Sequence, residues 1–240
     1  MSFWIGTAGW SIPRAIAGEF HEDGTSLERY AARFNAAEIN SSFHRPHRES
    51  TWQRWHDSVP AAFRFSVKLP KLITHQQRLV DCAAALDEFM AQVRPLADKL
   101  AVLLVQLPPK LELDVQVADE FFAALGDRTE AAVACEPRHP SWFTPDADAL
   151  LKRHRVARVA ADPAICDAAA APGGWDGLHY WRLHGSPVVY RSSYQDRIGD
   201  YAAKLKSTPP GVREVWCIFD NTASSAGAGD ALSLIGALGP

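Results

Sequence analysis

A chain of 240 residues, 47% hydrophobic and 22% charged, is long enough for one large core and carries none of the bias of a disordered or fibrous polymer. Its net charge of -3 at pH 7 and pI near 6.3 provide no general field for a polyanion, which argues against nucleic acid as a partner. The opening MSFWIGTAGWS lacks the basic start and apolar stretch of a signal peptide, and no later run reaches the ~20 apolar residues of a membrane span, so a cytoplasmic location with no membrane partner is expected.

Short β-rich runs alternate along the chain with stretches whose apolar residues recur at spacings of three and four, the pattern of βα units around a parallel sheet. Strands are predicted at Phe3–Gly6, Ala37–Ser41, Arg64–Lys68, Leu100–Gln106, Ala132–Glu136, Val156–Ala161, Leu178–His184 and Glu214–Asp220. Helices are predicted at Leu27–Phe34, Glu49–Asp57, Val80–Val93, Val115–Leu125, Pro145–His154, Tyr201–Lys206 and Asp230–Leu238. Eight strands can close, and the expectation is one TIM-like (β/α)8 barrel domain over residues 1–240. The stretch PAICDAAAAPGGWDG (163–177) brackets an alanine run with Pro and Gly, so the sixth crossover should be irregular. The segment GSPVVYRSSYQD (185–196) is long enough to cover a pocket. The cysteines Cys82, Cys135, Cys166 and Cys217 show no CxxC spacing and are expected reduced.

Side chains alternate across a strand, so residues two apart share a face. One face gathers Ile39, Phe65, Val67, Leu103, Val105, Val133, Cys135, Val159, Ala161, Trp181, Leu183, Cys217 and Phe219. The other carries Glu38, Asn40, Lys68, Gln106, Glu136, Asp162, Arg182, His184 and Asp220 toward the strand C-termini, the end of such barrels that holds active sites. An unpaired charge is costly to bury, so this ring is either a set of mutually neutralising pairs or a functional site.

Each member has two readings. Glu38 and Glu136 could form an acid/base pair or act as salt-bridge partners. Lys68 could be a charge clamp or, with a depressed pKa, a Schiff-base amine. His184, before a glycine turn, could carry a proton or hold the following loop. Trp10, Trp142, Tyr190 and Tyr194 could stack on a ligand or pack in the core. His44 and His47 in HRPH do not match a helical zinc motif. No cofactor is expected, with a divalent site built from Glu38, Glu136, His184 and Asp220 as the alternative. GxGxxG, a Walker lysine and GxSxG are all missing from the sequence, which leaves nucleotide binding and acyl transfer unsupported.

The strings GTAGWS (6–11), FNAAEINSSFHR (34–45), RFSVKLPKLITH (64–75), LLVQLPP (103–109), EPRHPSWF (136–143), RLHG (182–185), YRSSY (190–194) and FDN (219–221) together resemble the YecE-like family, a domain of unknown function (72). The resemblance runs from first strand to last. It implies a TIM-barrel-like fold and marks Glu38, Asn40, Lys68, Gln106, Glu136, Arg138, His139, Arg182, His184 and Asn221 as motif positions; His44 and Pro137 depart from the family pattern. It supplies no reaction, because a sugar-isomerase label resting on fold likeness assigns no chemistry. The expectation is an enzyme, of hydrolase or isomerase type, acting by acid/base chemistry on a small polar, carbohydrate-like or phosphorylated substrate. Glu38, Lys68, Glu136 and His184 are the catalytic candidates. Trp10, Asn40, Gln106, Arg138, His139, Arg182, Tyr190, Tyr194, Asp220 and Asn221 are the binding candidates. The rival is a non-catalytic protein that binds an anion, a metabolite or a nucleic acid end on the same ring; an inert ion-pair barrel is the third reading.

Overall fold

The computed structural model describes residues 1–239. Strands β1 (Ser2–Ala8), β2 (Ala36–Ile39), β3 (Arg64–Lys68), β4 (Leu100–Gln106) and β5 (Ala132–Glu136) follow one another in parallel pairs. The next strand is interrupted at Val159 into β6 (Val156–Arg158), which pairs with β5, and β7 (Ala160–Asp162), which pairs with β9 (Leu178–Leu183). β10 (Glu214–Phe219) lies between β9 and β1. The barrel therefore closes through a single divided strand, at eight strand positions. The two-residue β8 (Gly173–Gly174) pairs antiparallel with β6.

Helices α1 (Ser26–Ala31), α2 (Glu49–Asp57), α3 (Ala83–Val93), α4 (Val115–Gly126), α5 (Pro145–Arg153) and α6 (Ile198–Lys206) fill six of the seven connections between strand positions, and α7 (Gly227–Leu238) follows β10. Several start where local chemistry satisfies the free amides of the first turn. Thr25 and Glu28 form a capping box at α1, Asp114 accepts from Gln116 and Val117 at α4, and Thr144 accepts from Ala147 ahead of Pro145 at α5. The sixth crossover has no α-helix. It holds one turn of 3-10 helix at Asp167–Ala170 and then β8, as the Pro- and Gly-bracketed alanine run predicts.

Two apolar cores follow from the alternation of side chains. The outward one packs Phe65, Val67, Leu103, Val105, Cys135, Leu183 and Phe219 against helix residues such as Leu86, Phe89, Phe121 and Leu150. The inward one fills the N-terminal half of the barrel with Val102, Leu104, Val159, Tyr180, Trp216 and Ile218. There Tyr180 and Trp216 stack with ring planes 7° apart. Large buried side chains of this kind each stabilise by about 1.5–3 kcal/mol, so the lower barrel is a plug and the inward polar groups are confined to its C-terminal half. Gly6 permits the closure between β1 and β2: a Cβ there would lie 2.0 Å from the Ala36 carbonyl oxygen.

The divided strand corrects one expectation. Val159 belongs to the inward core and Ala160 to the outward one, the reverse of the parity assigned from sequence. Asp162 consequently points outward, where its Oδ2 accepts from Arg197 at 2.5 Å and from the Tyr201 hydroxyl. VARVAAD has small or apolar residues on both faces, so its pattern does not fix which face is inside, and a one-residue change of parity exchanges every side chain.

Candidate active site

The parallel register brings side chains from distant parts of the chain to common heights inside the barrel. Glu38 stands opposite Ser66 on β3, and Gln106 opposite Glu136 on β5. Arg182 enters from β9 and forms the hub. Its Nε and Nη2 donate to Glu38 at 3.0 and 2.7 Å, Nη1 donates to Glu136 at 2.5 Å, and Nη2 also reaches Asp220 at 3.0 Å. Beneath it the Tyr180 hydroxyl lies 2.9 Å from both Glu38 Oε2 and Ser66 Oγ. Above it the His184 ring bridges Asp220 through Nδ1 (2.9 Å) and Glu136 through Nε2 (3.1 Å). Arg138 donates through Nε and Nη2 to the same Glu136 Oε1, at 3.0 and 2.8 Å.

Arg182 and Glu38 are 1% and 0% exposed, which makes the charge states of the cluster decisive. Burial opposes ionisation of Glu136, but Arg182, His184 and Arg138 outweigh it and hold the carboxyl well below its ordinary range. Asp220 is lowered against the same opposition, mainly by Arg182 and by His184. Burial likewise disfavours a charged His184, yet the Glu136 carboxylate and the two hydrogen bonds raise its pKa, so the imidazolium form is stabilised with both ring nitrogens donating. Both Glu38 oxygens are committed to Arg182 and Tyr180. Three carboxyl groups thus face Arg182, Arg138 and His184.

Lys68 is the exception. It is 9% exposed on β3, yet among the described residues no carboxylate lies within 4.0 Å of its amine, which sits 4.2 Å from the centre of the Phe43 ring. Burial and the Arg182 charge lower its pKa to about 8, although Glu38, Glu136 and Asp220 pull the other way. Asn40, at the end of β2, presents a buried Oδ1 with no hydrogen-bond partner, and Gln106, 8% exposed, completes this side of the mouth from β4. His75 faces it from the turn after β3: burial and the charges of Lys68, Lys71 and Arg138 lower its pKa, while Nδ1 is 2.8 Å from the Thr74 hydroxyl.

Known proteins share the barrel fold. The chain matches the family described as "Protein of unknown function DUF72" over residues 4–240. It belongs to the DUF72 family. Among curated proteins it is 30% identical over 141 residues to the UPF0759 protein YecE of Escherichia coli K12, covering 58% of this chain and 50% of that protein. It is 25% identical over 148 residues to the UPF0759 protein YunF of Bacillus subtilis 168, covering 59% and 52%. The chain therefore spans about half the length of the curated relatives it matches. Solved DUF72 structures from Enterococcus faecalis V583 (TM-score 0.82, 18% identity, 99% of this chain and 95% of that one) and Thermotoga maritima MSB8 (0.78, 20%, 98% of each) have the same fold. A fusion protein of a xylose isomerase-like TIM barrel with 4-hydroxyphenylpyruvate dioxygenase aligns at TM-score 0.55 and 13% identity, over 97% of this chain and 41% of that one. At such identities the likeness is one of fold.

Several binding candidates of the DUF72 chain lie away from the ring. Tyr194 is fully buried in the outward core, its hydroxyl accepting from the Gly185 amide and donating to the Asp162 carbonyl. Asn221 donates to the Ser192 carbonyl and to Asp230, tying down the loop. His139 caps the turn Pro140–Trp142 by accepting from the Ser141 amide. Trp10 packs edge-on against Trp55 and Phe65, and the Trp142 indole donates to the Leu111 carbonyl. Apart from Trp10, these residues end in short polar contacts to the backbone that hydropathy does not foresee.

Tyr190 does reach the mouth, edge-on to His184 with ring centres 5.9 Å apart. Its φ of 65° is a strained value for a residue with a Cβ, held by a bond from its amide to the His184 carbonyl. Gly185, at φ 98°, makes the turn into this loop, and a Cβ there would lie 2.9 Å from the Val188 carbonyl oxygen. The loop is anchored by Asp230, 1% exposed, whose carboxylate accepts from the Ser193 hydroxyl, the Tyr194 amide and the Gln195 and Asn221 side chains. Tyr180, Ser66, His75 and Asp230 are site residues that sequence reasoning missed. Tyr180 and Ser66 had a usable signal, since Tyr180 shares face parity with Arg182 and His184, and Ser66 with Lys68.

As for a divalent ion, no three His, Cys, Asp or Glu residues are grouped to hold a metal among the described residues. Within Glu38, Glu136, His184 and Asp220 the central position belongs to the Arg182 guanidinium. His47 is bonded to Ser41 and packed on Trp52 and Trp55.

Proposed function

We propose that this DUF72 chain is an enzyme that acts on a small anionic substrate by acid/base chemistry at the C-terminal mouth of the barrel, with Lys68 exchanging the proton. The observation that carries this is the contrast between two buried cations in one ring. Arg182 is surrounded by carboxylates, as an ion-pair filler would be. Lys68 is nearly as buried, unpaired and titrates at about 8, the range where a base is both present and effective at neutral pH.

Charge supports an anion or a developing oxyanion. With Glu38 ionised and His184 protonated, the other six groups of the ring balance, and a protonated Lys68 is a surplus positive charge. Arg138 keeps its Nη1 free of hydrogen bonds among the described residues and provides a donor of the kind that stabilises negative charge in a transition state. Glu136 and Glu38 have a different role from the expected acid/base pair: both are held ionised or fully bonded around Arg182 and fix the position of the cations. The hydrolase or isomerase type of reaction fits this charge pattern equally.

Thermal-shift screening against orthophosphate, sugar phosphates and small hydroxy and keto acids identifies a stabilising ligand, and its consumption is then followed. The expected result is turnover that rises with pH through about 8 and falls at least about a hundredfold in Lys68→Met. A folded Lys68→Met variant with full turnover sinks the proposal. A ligand recovered unchanged under all conditions favours the binding-protein reading.

A further inference from the structure

The polar ring has a gap, and the gap is where the divided strand turned Asp162 outward. In its place Ala161 and Val159 face a chamber of about 230 Å³ bounded also by Phe143, Ile165 and Val189. Nine of its twelve lining residues are apolar; the other three, Glu136, Arg138 and His184, stand together as part of the ring. Four of the eight exposed large apolar side chains among the described residues, Ile165 (48%), Val188 (53%), Val189 (43%) and Tyr190 (41%), lie on the two loops that follow β7 and β9. Exposed apolar residues clustered at the rim of an apolar chamber are a binding feature rather than scattered surface.

We propose that the substrate is amphipathic, an aliphatic or aromatic carboxylate whose apolar part fills this chamber while its acid group meets Arg138. This rests on the reading of the mouth as a substrate site and replaces its carbohydrate-like option, because sugar hydroxyls in the chamber would find almost no hydrogen-bond partners. The chamber has room for about seven groups of roughly 30 Å³ each, which suits a six- to eight-carbon chain or one ring. Glu136 at the polar end does not repel the acid group, since its charge is already matched by Arg182, Arg138 and His184.

Calorimetric titration of the full chain with acetate, butyrate, hexanoate and octanoate tests this directly. Affinity should climb about three- to fourfold per methylene, the value of burying one CH2, and level off once the chamber is full. Arg138→Met should weaken the whole series. Ala161→Leu should cut hexanoate affinity at least tenfold and spare acetate. Ile165→Ser, at an exposed rim position where folding is not at stake, should lower hexanoate affinity severalfold. A series flat from acetate to octanoate, with orthophosphate or glycolate binding as well or better, overturns the amphipathic substrate and leaves the anion site standing. Failure of every anion, orthophosphate included, to bind overturns both.

Discussion

Replacing Lys68 by methionine should make the protein more stable at neutral pH. The fall of its pKa from 10.5 to about 8 means that the ammonium is disfavoured in the folded state by about 3 kcal/mol at pH 7. Methionine matches the length of the aliphatic stem, loses no ion pair, and forfeits only the contact with the Phe43 ring, which is about 0.5–1 kcal/mol. The net gain is about 2–3 kcal/mol, or roughly 5–10 °C in Tm for a domain of this size. Between pH 8 and 10.5 the unfolded lysine holds a proton that the folded one has lost, so wild-type stability rises across that window. The advantage of Lys68→Met should therefore be full below pH 8 and shrink steadily toward pH 10. Urea midpoints of both proteins at pH 7, 8, 9 and 10 measure it. A variant that is less stable than wild type, by an amount independent of pH, would show that Lys68 is an ordinary ion-pair lysine and remove the physical basis for its chemistry.

Arg182→Met should act in the opposite sense, because it leaves Glu38, Glu136 and Asp220 buried without their common cation; a loss of about 3–5 kcal/mol is expected in urea unfolding. An unchanged midpoint would mean that these carboxyls are protonated in the folded protein. For His184 the raised pKa places its stabilisation at low pH: it is complete below the unfolded value of about 6.5 and lost as pH rises through the folded value. His184→Gln should flatten that limb of the stability profile, and imidazole resonances of the wild type should titrate above 6.5; a midpoint at or below 6.5 refutes the bridge between Asp220 and Glu136.

The aromatic plug and the ring above it depend on different kinds of information. Alternation in RFSVK, LAVLLVQ and LHYWRL, with helical spacing between them, is local, so strand positions, helices and the irregular sixth crossover were legible from the sequence. So was the placement of Glu38, Lys68, Glu136, Arg182 and His184 at strand ends on one face, because a period of two needs no knowledge of neighbours. VARVAAD carried no such contrast, and only pairing of β6 with β5 and β7 with β9 decided that Ala161 faces in and Asp162 out. The partners were equally invisible: Arg182 meets Glu38 across 144 residues of chain and Glu136 across 46. Local sequence sets which groups point inward. Barrel closure sets which of them meet, and so leaves Lys68 as the cation of the ring with no carboxylate within 4.0 Å among the described residues and opens an apolar chamber beside Glu136, Arg138 and His184.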